Sequence, residues 1–201
     1  MHWVYEEVKK NSAYNGTIVA RRVLGSWEVH VGDSIQTSDY TNAMWADACR
    51  RVHARGMPVN NILMLGLGGG GAIKPLHEMF SNCKIKVVEI DPAMVEVAKA
   101  ICLYKPHQFP PTMVGDATKI APALAEQFDL ILVDLFCERE PEADLNGDEF
   151  LQALKERLAA GGTMVVNASG KQEYLAAARR TFPTNTVYMF RRNHLGLFLK
   201  E

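Results

Sequence analysis

The chain has 201 residues, enough for one domain with a sizeable core and too few for two full domains. Its 22 basic and 23 acidic side chains nearly cancel, so nothing indicates a nucleic-acid or anionic-membrane partner. The four cysteines show no C-x-x-C spacing, and no apolar run approaches the ~20 residues that span a bilayer. We therefore expect a soluble cytoplasmic protein with reduced cysteines and no metal site.

The N-terminal residues 1–38 differ from the rest of the chain. Two short β-type runs, Thr17–Ala20 and Trp27–Val31, flank the turn signal Gly25-Ser26. This pattern predicts a small β-hairpin appendage to a main domain of residues 39–201.

The main domain begins with a helix, expected from Tyr40 to about Arg55. Asp39 or Thr41 can cap it, and its apolar residues repeat at three-to-four spacing. Beyond Asn60, strand and helix signals alternate, which is typical of a parallel sheet covered on both faces. Expected strands are 62–65, 85–90, 112–114, 130–133 and 163–166, with helices at 92–103, 121–127, 150–158 and 172–181.

The predicted helix at 150–158 can end at Gly161-Gly162. After the last helix, two further strands, Thr186–Phe190 and Leu195–Leu199, are joined by the turn signal Arg192-Asn193-His194. A close hairpin there adds one antiparallel strand to an otherwise parallel sheet.

Five glycines stand between the first strand of the main domain and the helix that follows it, at Gly66, Gly68, Gly69, Gly70 and Gly71. Glycines let the backbone turn tightly and approach a ligand, and the helix start offers N–H groups to an anion or a carboxylate. A flexible linker is the simpler alternative. The strand-loop-helix context favours a nucleotide-binding loop.

An acid follows this loop at the spacing of a dinucleotide fingerprint, about 20 residues on. It is Glu89, at the end of the second strand, where it can accept both hydroxyls of a ribose. Asp91 is assigned first as the cap of the next helix, in which Pro92 occupies the first turn. Loop and acid together leave nicotinamide, flavin and S-adenosylmethionine enzymes open.

Three later features favour S-adenosylmethionine. Asp116 and Ala117 follow the third strand, where they can contact adenine, although Asp116 can instead cap the helix at 121–127. Asp134 ends the fourth strand, where open α/β sheets place their crevice, so its carboxylate faces the substrate. Asn167 ends the fifth strand on the same rim, or belongs to an ordinary turn. The pattern predicts a Rossmann-like class I methyltransferase sheet.

Residues 12–200 resemble the polyamine aminopropyltransferase (spermidine synthase) family and its methyltransferase relatives. The matching pieces, in order, are Gly32-Asp33-Ser34-Ile35-Gln36, the GLGGGG loop, Val88-Glu89-Ile90-Asp91-Pro92, Gly115-Asp116-Ala117 and Val133-Asp134. The resemblance implies that Gln36 lies near the sulfur of the cofactor, Glu89 at the ribose, Asp116 and Ala117 at the adenine, and Asp134 at the amine acceptor. It also implies a homodimer.

The chain departs from the aminopropyl branch of that family at three places. The acid in the family's glycine loop falls on Gly69, and the second acid of its catalytic segment falls on Cys137. Its Tyr-x-Glu gate corresponds to Trp45-Ala46-Asp47. A polycationic acceptor would therefore meet fewer carboxylates here.

The charge at position 69 bears on the choice of cofactor. An acid there would repel the carboxylate of S-adenosylmethionine, which the decarboxylated cofactor lacks, and Gly69 removes that repulsion. The GLGGG form also resembles the loop of the methyltransferase branch. We therefore expect methyl transfer to an amine-type acceptor, a small molecule or a basic side chain, with Asp134 orienting the acceptor or taking its proton.

Other functions stay open at this point. The acidic segment 136–146 either recognises a basic acceptor or is merely solvated. An aminopropyltransferase using decarboxylated S-adenosylmethionine would draw its missing carboxylate from Glu138, Glu140 or Asp47. A cofactor-binding module without catalysis and a nicotinamide-dependent dehydrogenase are the remaining alternatives.

Overall fold

Two sheets organise the part of the chain that the computed structural model describes, residues 6–102, 109–135, 147–168 and 172–201. The elements are β1 (Glu7–Ser12), β2 (Gly16–Val23), β3 (Ser26–Val31), β4 (Ser34–Thr37), α1 (Asp39–His53), β5 (Asn61–Leu65), α2 (Ile73–Met79), β6 (Lys84–Glu89), α3 (Pro92–Ile101), β7 (Thr112–Val114), α4 (Ala117–Ala123), β8 (Phe128–Val133), α5 (Asp148–Arg157), β9 (Leu158–Asn167), α6 (Gln172–Thr181), β10 (Asn185–Phe190) and β11 (Asn193–Leu199).

The N-terminal sheet has four antiparallel strands in the order β1-β2-β3-β4, where the sequence predicted only the hairpin of β2 and β3. β1 is a mostly exposed edge strand rich in charge, and β4 has four residues, so neither shows a clear β pattern. The buried face of β2 and β3 packs against α3 in one apolar cluster. The sheet is thereby joined to the main domain.

The main sheet has the strand order β10-β11-β9-β8-β5-β6-β7. β5 to β9 run parallel, and β11 is antiparallel to both β9 and β10, so the predicted mostly parallel sheet with an antiparallel C-terminal hairpin is confirmed. One apolar cluster covers the face with α1, α2 and α3, and another covers the face with α4, α5 and α6. The register aligns Leu65 with Val88 and with Val133, which places the ends of β5, β6 and β8 side by side.

Two predicted helix boundaries are wrong. α4 begins at Ala117 instead of 121, because Asp116 caps it by accepting from the N–H of Thr118. α5 ends at Arg157, and Gly161 and Gly162 lie inside β9 instead of terminating the helix. The physical reason is tertiary pairing, because Leu158 already pairs with β8 while Gly161 and Gly162 exchange backbone hydrogen bonds with Lys200.

The cap of α1 and the last turn also differ from the expectation. Ser38 is the N-cap and forms a capping box with Thr41, so neither Asp39 nor Thr41 is itself the cap. The C-terminal hairpin turns at residues 191–192, and Asn193 already belongs to β11. None of the helices within the described ranges has the length and apolarity that crossing a bilayer would require.

The described cysteines are free thiols, as the sequence led us to expect. Cys49 and Cys83 are buried and Cys102 is partly buried. Burial raises the pKa of Cys49 to about 12, so this thiol stays protonated at neutral pH. Cys137 lies outside the described residues.

Asp91 joins the two sheets. Its side chain is fully buried, and one oxygen accepts from the N–H of Ala93, which confirms the predicted cap of α3. The other oxygen accepts from Ser12 Oγ at 2.6 Å and from Asn15 Nδ2 at 2.7 Å, in the turn between β1 and β2. The carboxylate therefore holds that turn against the start of α3.

We expect Asp91→Ala to lower the free energy of unfolding by about 3 kcal/mol, because it removes a cap and leaves two buried donors without an acceptor. Urea unfolding measures this. The matched control is Asp33→Ala, whose parent side chain is exposed, with an expected change within about 0.5 kcal/mol. Equal stabilities of the two variants would contradict the tethering role.

Candidate active site

A narrow cleft lies where the ends of β5 and β8 meet β4 and α1. The residues that line it include Gln36, Thr37, Trp45, Gly66, Gly71 and Asp134. Four of these, Gln36, Trp45, Gly66 and Asp134, were predicted from the sequence as site residues.

The glycine loop is fixed by its neighbours. Gly66 has φ +91°, its N–H donates to the carbonyl of Val88, and a Cβ at this position would lie 2.2 Å from the carbonyl oxygen of Asp134. The N–H of Gly69 donates to Thr37 Oγ1 at 2.8 Å. These contacts are those of an ordered loop held between three strands and not of a flexible linker.

Gly68 and Gly70 also adopt positive φ, at +52° and +82°. Gly69 itself faces the N-terminal sheet, because a Cβ there would lie 2.5 Å from Val29 Cγ2 and 2.9 Å from Thr37 Oγ1. A side chain at position 69 therefore requires the side chains of Val29 and Thr37 to shift.

Glu89 points into this loop. Its carboxylate is 7% exposed and accepts from the N–H of Leu67 at 2.8 Å and from the N–H of Asp91 at 2.9 Å. Burial raises the pKa of Glu89, while these two backbone donors oppose the rise. Each carboxylate oxygen keeps a further lone pair for a donor such as a hydroxyl. Binding of a ribose by Glu89 stays a prediction.

Asp134 is the acid that lines the cleft. Its backbone N–H continues the sheet by donating to Leu65, and its Oδ1 accepts from Asn167 Nδ2 at 2.9 Å. Burial raises the pKa of Asp134, and hydrogen bonds from Asn167 and from the side chain of Trp45 act in the opposite direction. Trp45, assigned to the gate from the resemblance, therefore contacts the predicted catalytic carboxylate.

Asp47, also predicted for the acceptor site, is not among the residues that line the cleft. The carboxylate of Asp47 lies 2.8 Å from Arg51 Nε and 3.3 Å from Arg50, and these arginines hold its pKa below the usual value although burial alone would raise it. Asp47 is two residues from Trp45 on a helix, so the two side chains leave different faces. Cys137 lies outside the described residues, as do Glu138, Glu140 and the acidic segment 136–146.

Asp116 and Ala117 stand beside the Glu89 strand, because the N–H of Gly115 donates to the carbonyl of Glu89. Asp116 Oδ1 accepts from the N–H and the hydroxyl of Thr118, so the capping alternative is confirmed for this oxygen. Ala117 is buried against the core. Contact of either residue with adenine stays a prediction.

Thr37 and Asn15 are site residues that the sequence did not indicate. Thr37 fixes the glycine loop through Gly69, and its position beside Gln36 becomes informative only once β4 is recognised. Asn15 donates to Asp91 while its own Oδ1 is buried without a partner in the described part of the chain. Both residues come from the N-terminal sheet.

We expect Gly66→Ala to disrupt the loop, because its Cβ would meet a backbone carbonyl that belongs to a central strand end. Gly25→Ala is the matched control, since Gly25 has the same φ of +91° with nothing within 4 Å of a Cβ. The control should cost roughly 1 kcal/mol of unfolding free energy for the strained φ. Gly66→Ala should cost a further ~3 kcal/mol. Calorimetric unfolding measures both, and similar losses would show that the close approach at Gly66 is unimportant.

Sequence comparison relates the chain to polyamine-forming enzymes and to methyltransferases. The sequence model of the spermine/spermidine synthase domain matches residues 52–187. A polyamine aminopropyltransferase of Vibrio vulnificus is 32% identical over 109 residues, which cover 53% of this chain and 36% of that protein. A probable polyamine aminopropyl transferase of Bifidobacterium longum is 27% identical over 165 residues, 82% of this chain and 35% of that protein. An eEF1A lysine and N-terminal methyltransferase homolog of Drosophila pseudoobscura is 28% identical over 143 residues, which cover 64% of this chain and 21% of that protein.

Solved structures with the same fold come from both groups. A probable spermidine synthase from Corynebacterium glutamicum superposes with a TM-score of 0.78 at 17% identity, covering 96% of this chain and 79% of that one. Human methyltransferase-like protein 13, solved in complex with SAH, superposes with a TM-score of 0.63 at 22% identity, covering 82% of this chain and 83% of that one. The chain spans about a third of the length of the aminopropyltransferases it matches. With its domain model matched over residues 52–187, the chain belongs to the spermine/spermidine synthase domain family.

Proposed function

We propose that this chain is an S-adenosylmethionine-dependent transferase that moves a methyl group to an amine-type acceptor, either a small molecule or a basic side chain. The observation that carries the proposal is the surroundings of Gly69. Its Cβ direction is occupied by the side chains of Val29 and Thr37, so the acid that the aminopropyl branch carries at this loop position would require both side chains to shift.

The charge of the cleft supports the same choice. Among the described residues that line it, Asp134 is the one carboxylate. A cofactor with a free aminopropyl ammonium needs an acid to hold that group, and an acid in the loop would repel the carboxylate of ordinary S-adenosylmethionine at low dielectric. Without it, the cleft is better suited to the zwitterionic amino-acid end of S-adenosylmethionine.

The two acids Glu89 and Asp134 have different roles in this proposal. Glu89 holds sugar hydroxyls through the lone pairs that Leu67 and Asp91 leave unused. When bound, the cofactor supplies an activated methyl group on sulfur. Asp134 orients the acceptor amine and takes its proton, and burial makes it a stronger base than an exposed aspartate. Positioning within a water-poor cleft supplies the remaining acceleration.

Aminopropyl transfer with decarboxylated S-adenosylmethionine is the second candidate. The domain family and the named relatives from Vibrio vulnificus and Bifidobacterium longum favour it. In that case an acid must come from Glu138 or Glu140, or from Asp47 after release from Arg50 and Arg51.

Cofactor binding separates the two candidates. We expect isothermal calorimetry to show at least ~10-fold tighter binding of S-adenosylmethionine than of its decarboxylated form, because the cleft has no second acid for the ammonium. Glu89→Gln should weaken both ligands by about 10- to 100-fold, since both carry the ribose. Glu78→Gln, an exposed acid on α2, is the matched control and should leave both affinities unchanged. Tighter binding of the decarboxylated form would overturn the choice of reaction.

The role of Asp134 as a base has its own test. Asp134→Asn should lower kcat/KM for methyl transfer by about 10²- to 10⁴-fold while the affinity for S-adenosylmethionine changes little. Only the ionised carboxylate accepts a proton, so activity should rise with pH through the raised pKa of Asp134. The acid limb of the kcat/KM profile should therefore lie above the usual range of an aspartate. A variant with wild-type turnover would show that Asp134 is not the base.

A further inference from the structure

A continuous chain of side-chain hydrogen bonds runs from Asp134 to α1. Asn167 Nδ2 donates to Asp134 Oδ1 at 2.9 Å, and Asn193 Nδ2 donates to Asn167 Oδ1 at 2.9 Å. The hydroxyl of Tyr40 then lies 2.6 Å from Asn193 Oδ1 and 3.0 Å from the carbonyl oxygen of Phe190. The chain joins the end of β9, the start of β11 and the first turn of α1.

The carboxylate of Asp134, at one end of this series of hydrogen bonds, determines which group is the donor in every bond. An ionised carboxylate only accepts, so Asn167 must turn its amide nitrogen toward Asp134 and its oxygen toward Asn193. Asn193 must then donate to Asn167 and accept from Tyr40. A hydroxyl that donates at the far end completes one consistent sequence of donors pointing toward Asp134.

Tyr40 is well placed to anchor this series of hydrogen bonds. Its ring packs against Phe190 with centroids 5.8 Å apart, and the guanidinium groups of Arg191 and Arg192 lie 5.7 Å and 5.1 Å from the ring centroid. α1 also carries Trp45, which lines the same cleft as Asp134 and lowers its pKa. The same helix therefore contributes one residue beside Asp134 and another at the far end of the series of hydrogen bonds.

We propose that Tyr40, Asn193 and Asn167 are positioning residues that set the orientation and the proton affinity of Asp134, a role that rests on the proposed function of Asp134 as the base. Loss of a donor along this series of hydrogen bonds removes one of the contacts that orient the amide of Asn167. Asp134 then loses a bond that favours its ionised form and its alignment toward an acceptor.

The groups around Asp134 allow a change in its pKa to be attributed to this series of hydrogen bonds. Among the described residues, no charged side chain contributes to the pKa of Asp134, which depends on burial and on hydrogen bonds from Asn167 and Trp45. The charged side chains that contact the far end of the chain are Arg191 and Arg192, at the Tyr40 ring. Neutral substitutions in the chain leave all of these in place.

Two substitutions with matched controls test the proposal. Tyr40→Phe keeps the ring and removes the hydroxyl, and its control is Tyr174→Phe, whose parent hydroxyl is buried without a partner in the described structure. Asn193→Ala removes the middle of the chain. Its control, Asn185→Ala, removes an asparagine that bonds Phe182 and Pro183 at the other end of the same hairpin.

We expect Tyr40→Phe and Asn193→Ala to lower kcat for methyl transfer about 3- to 10-fold, with the affinity for S-adenosylmethionine unchanged. The carboxyl titration of Asp134, followed by carbon-13 NMR, should move upward by on the order of half a pH unit in both variants and in neither control. The acid limb of the kcat/KM profile should move with it. Thermal unfolding shows whether each variant is folded. If Asn193→Ala does not fold, Tyr40→Phe alone is sufficient for the test.

The NMR titration requires no turnover, so it separates this proposal from the proposed function. An unchanged titration of Asp134 in a folded Tyr40→Phe protein overturns the positioning role, whatever the activity. A shifted titration in a protein that transfers no methyl group supports the positioning of Asp134 and overturns the reaction assigned to it.

Discussion

The site depends on one buried carboxylate that joins a strand end to the glycine loop. Glu89 is almost fully shielded from water, where an unpaired charge would be strongly unfavourable, and the N–H groups of Leu67 and Asp91 offset that cost. The same two bonds fix the loop relative to β6. Because β5 aligns in register with both β6 and β8, Glu89 and Asp134 come at the ends of the two strands that flank β5.

The N-terminal sheet is part of this site and not merely an appendage. Thr37 accepts the N–H of Gly69, Val29 fills the space beside that glycine, and Ser12 and Asn15 bond the carboxylate of Asp91. The sheet therefore contacts the glycine loop at one place and the start of α3 at another. This packing explains a glycine at position 69, in addition to the charge argument made for the proposed ligand.

The features of this arrangement that depend on residues within one element were predicted from the sequence. The features that depend on tertiary contacts were not. The glycine loop, Glu89 and the cap at Asp91 follow from local chemistry and spacing, and the structure places them as expected. β9 begins at Leu158 only because β8 pairs with it, which no periodicity in the chain indicates. The hydrogen bond of Asp134 with Asn167 likewise joins residues on different strands, so each was visible only as a polar strand end.

A probable spermidine synthase and a methyltransferase-like protein share this fold, so the fold alone does not decide the reaction. What distinguishes this chain is the composition of its cleft and the contacts that hold it. Thr37 at the end of β4 accepts from the N–H of Gly69 in the glycine loop, and Trp45 on the following helix lines the same cleft as Asp134. Because β4 and α1 are consecutive elements, a displacement of α1 relative to β5 would change the position of the glycine loop contact and of the Trp45 side chain together.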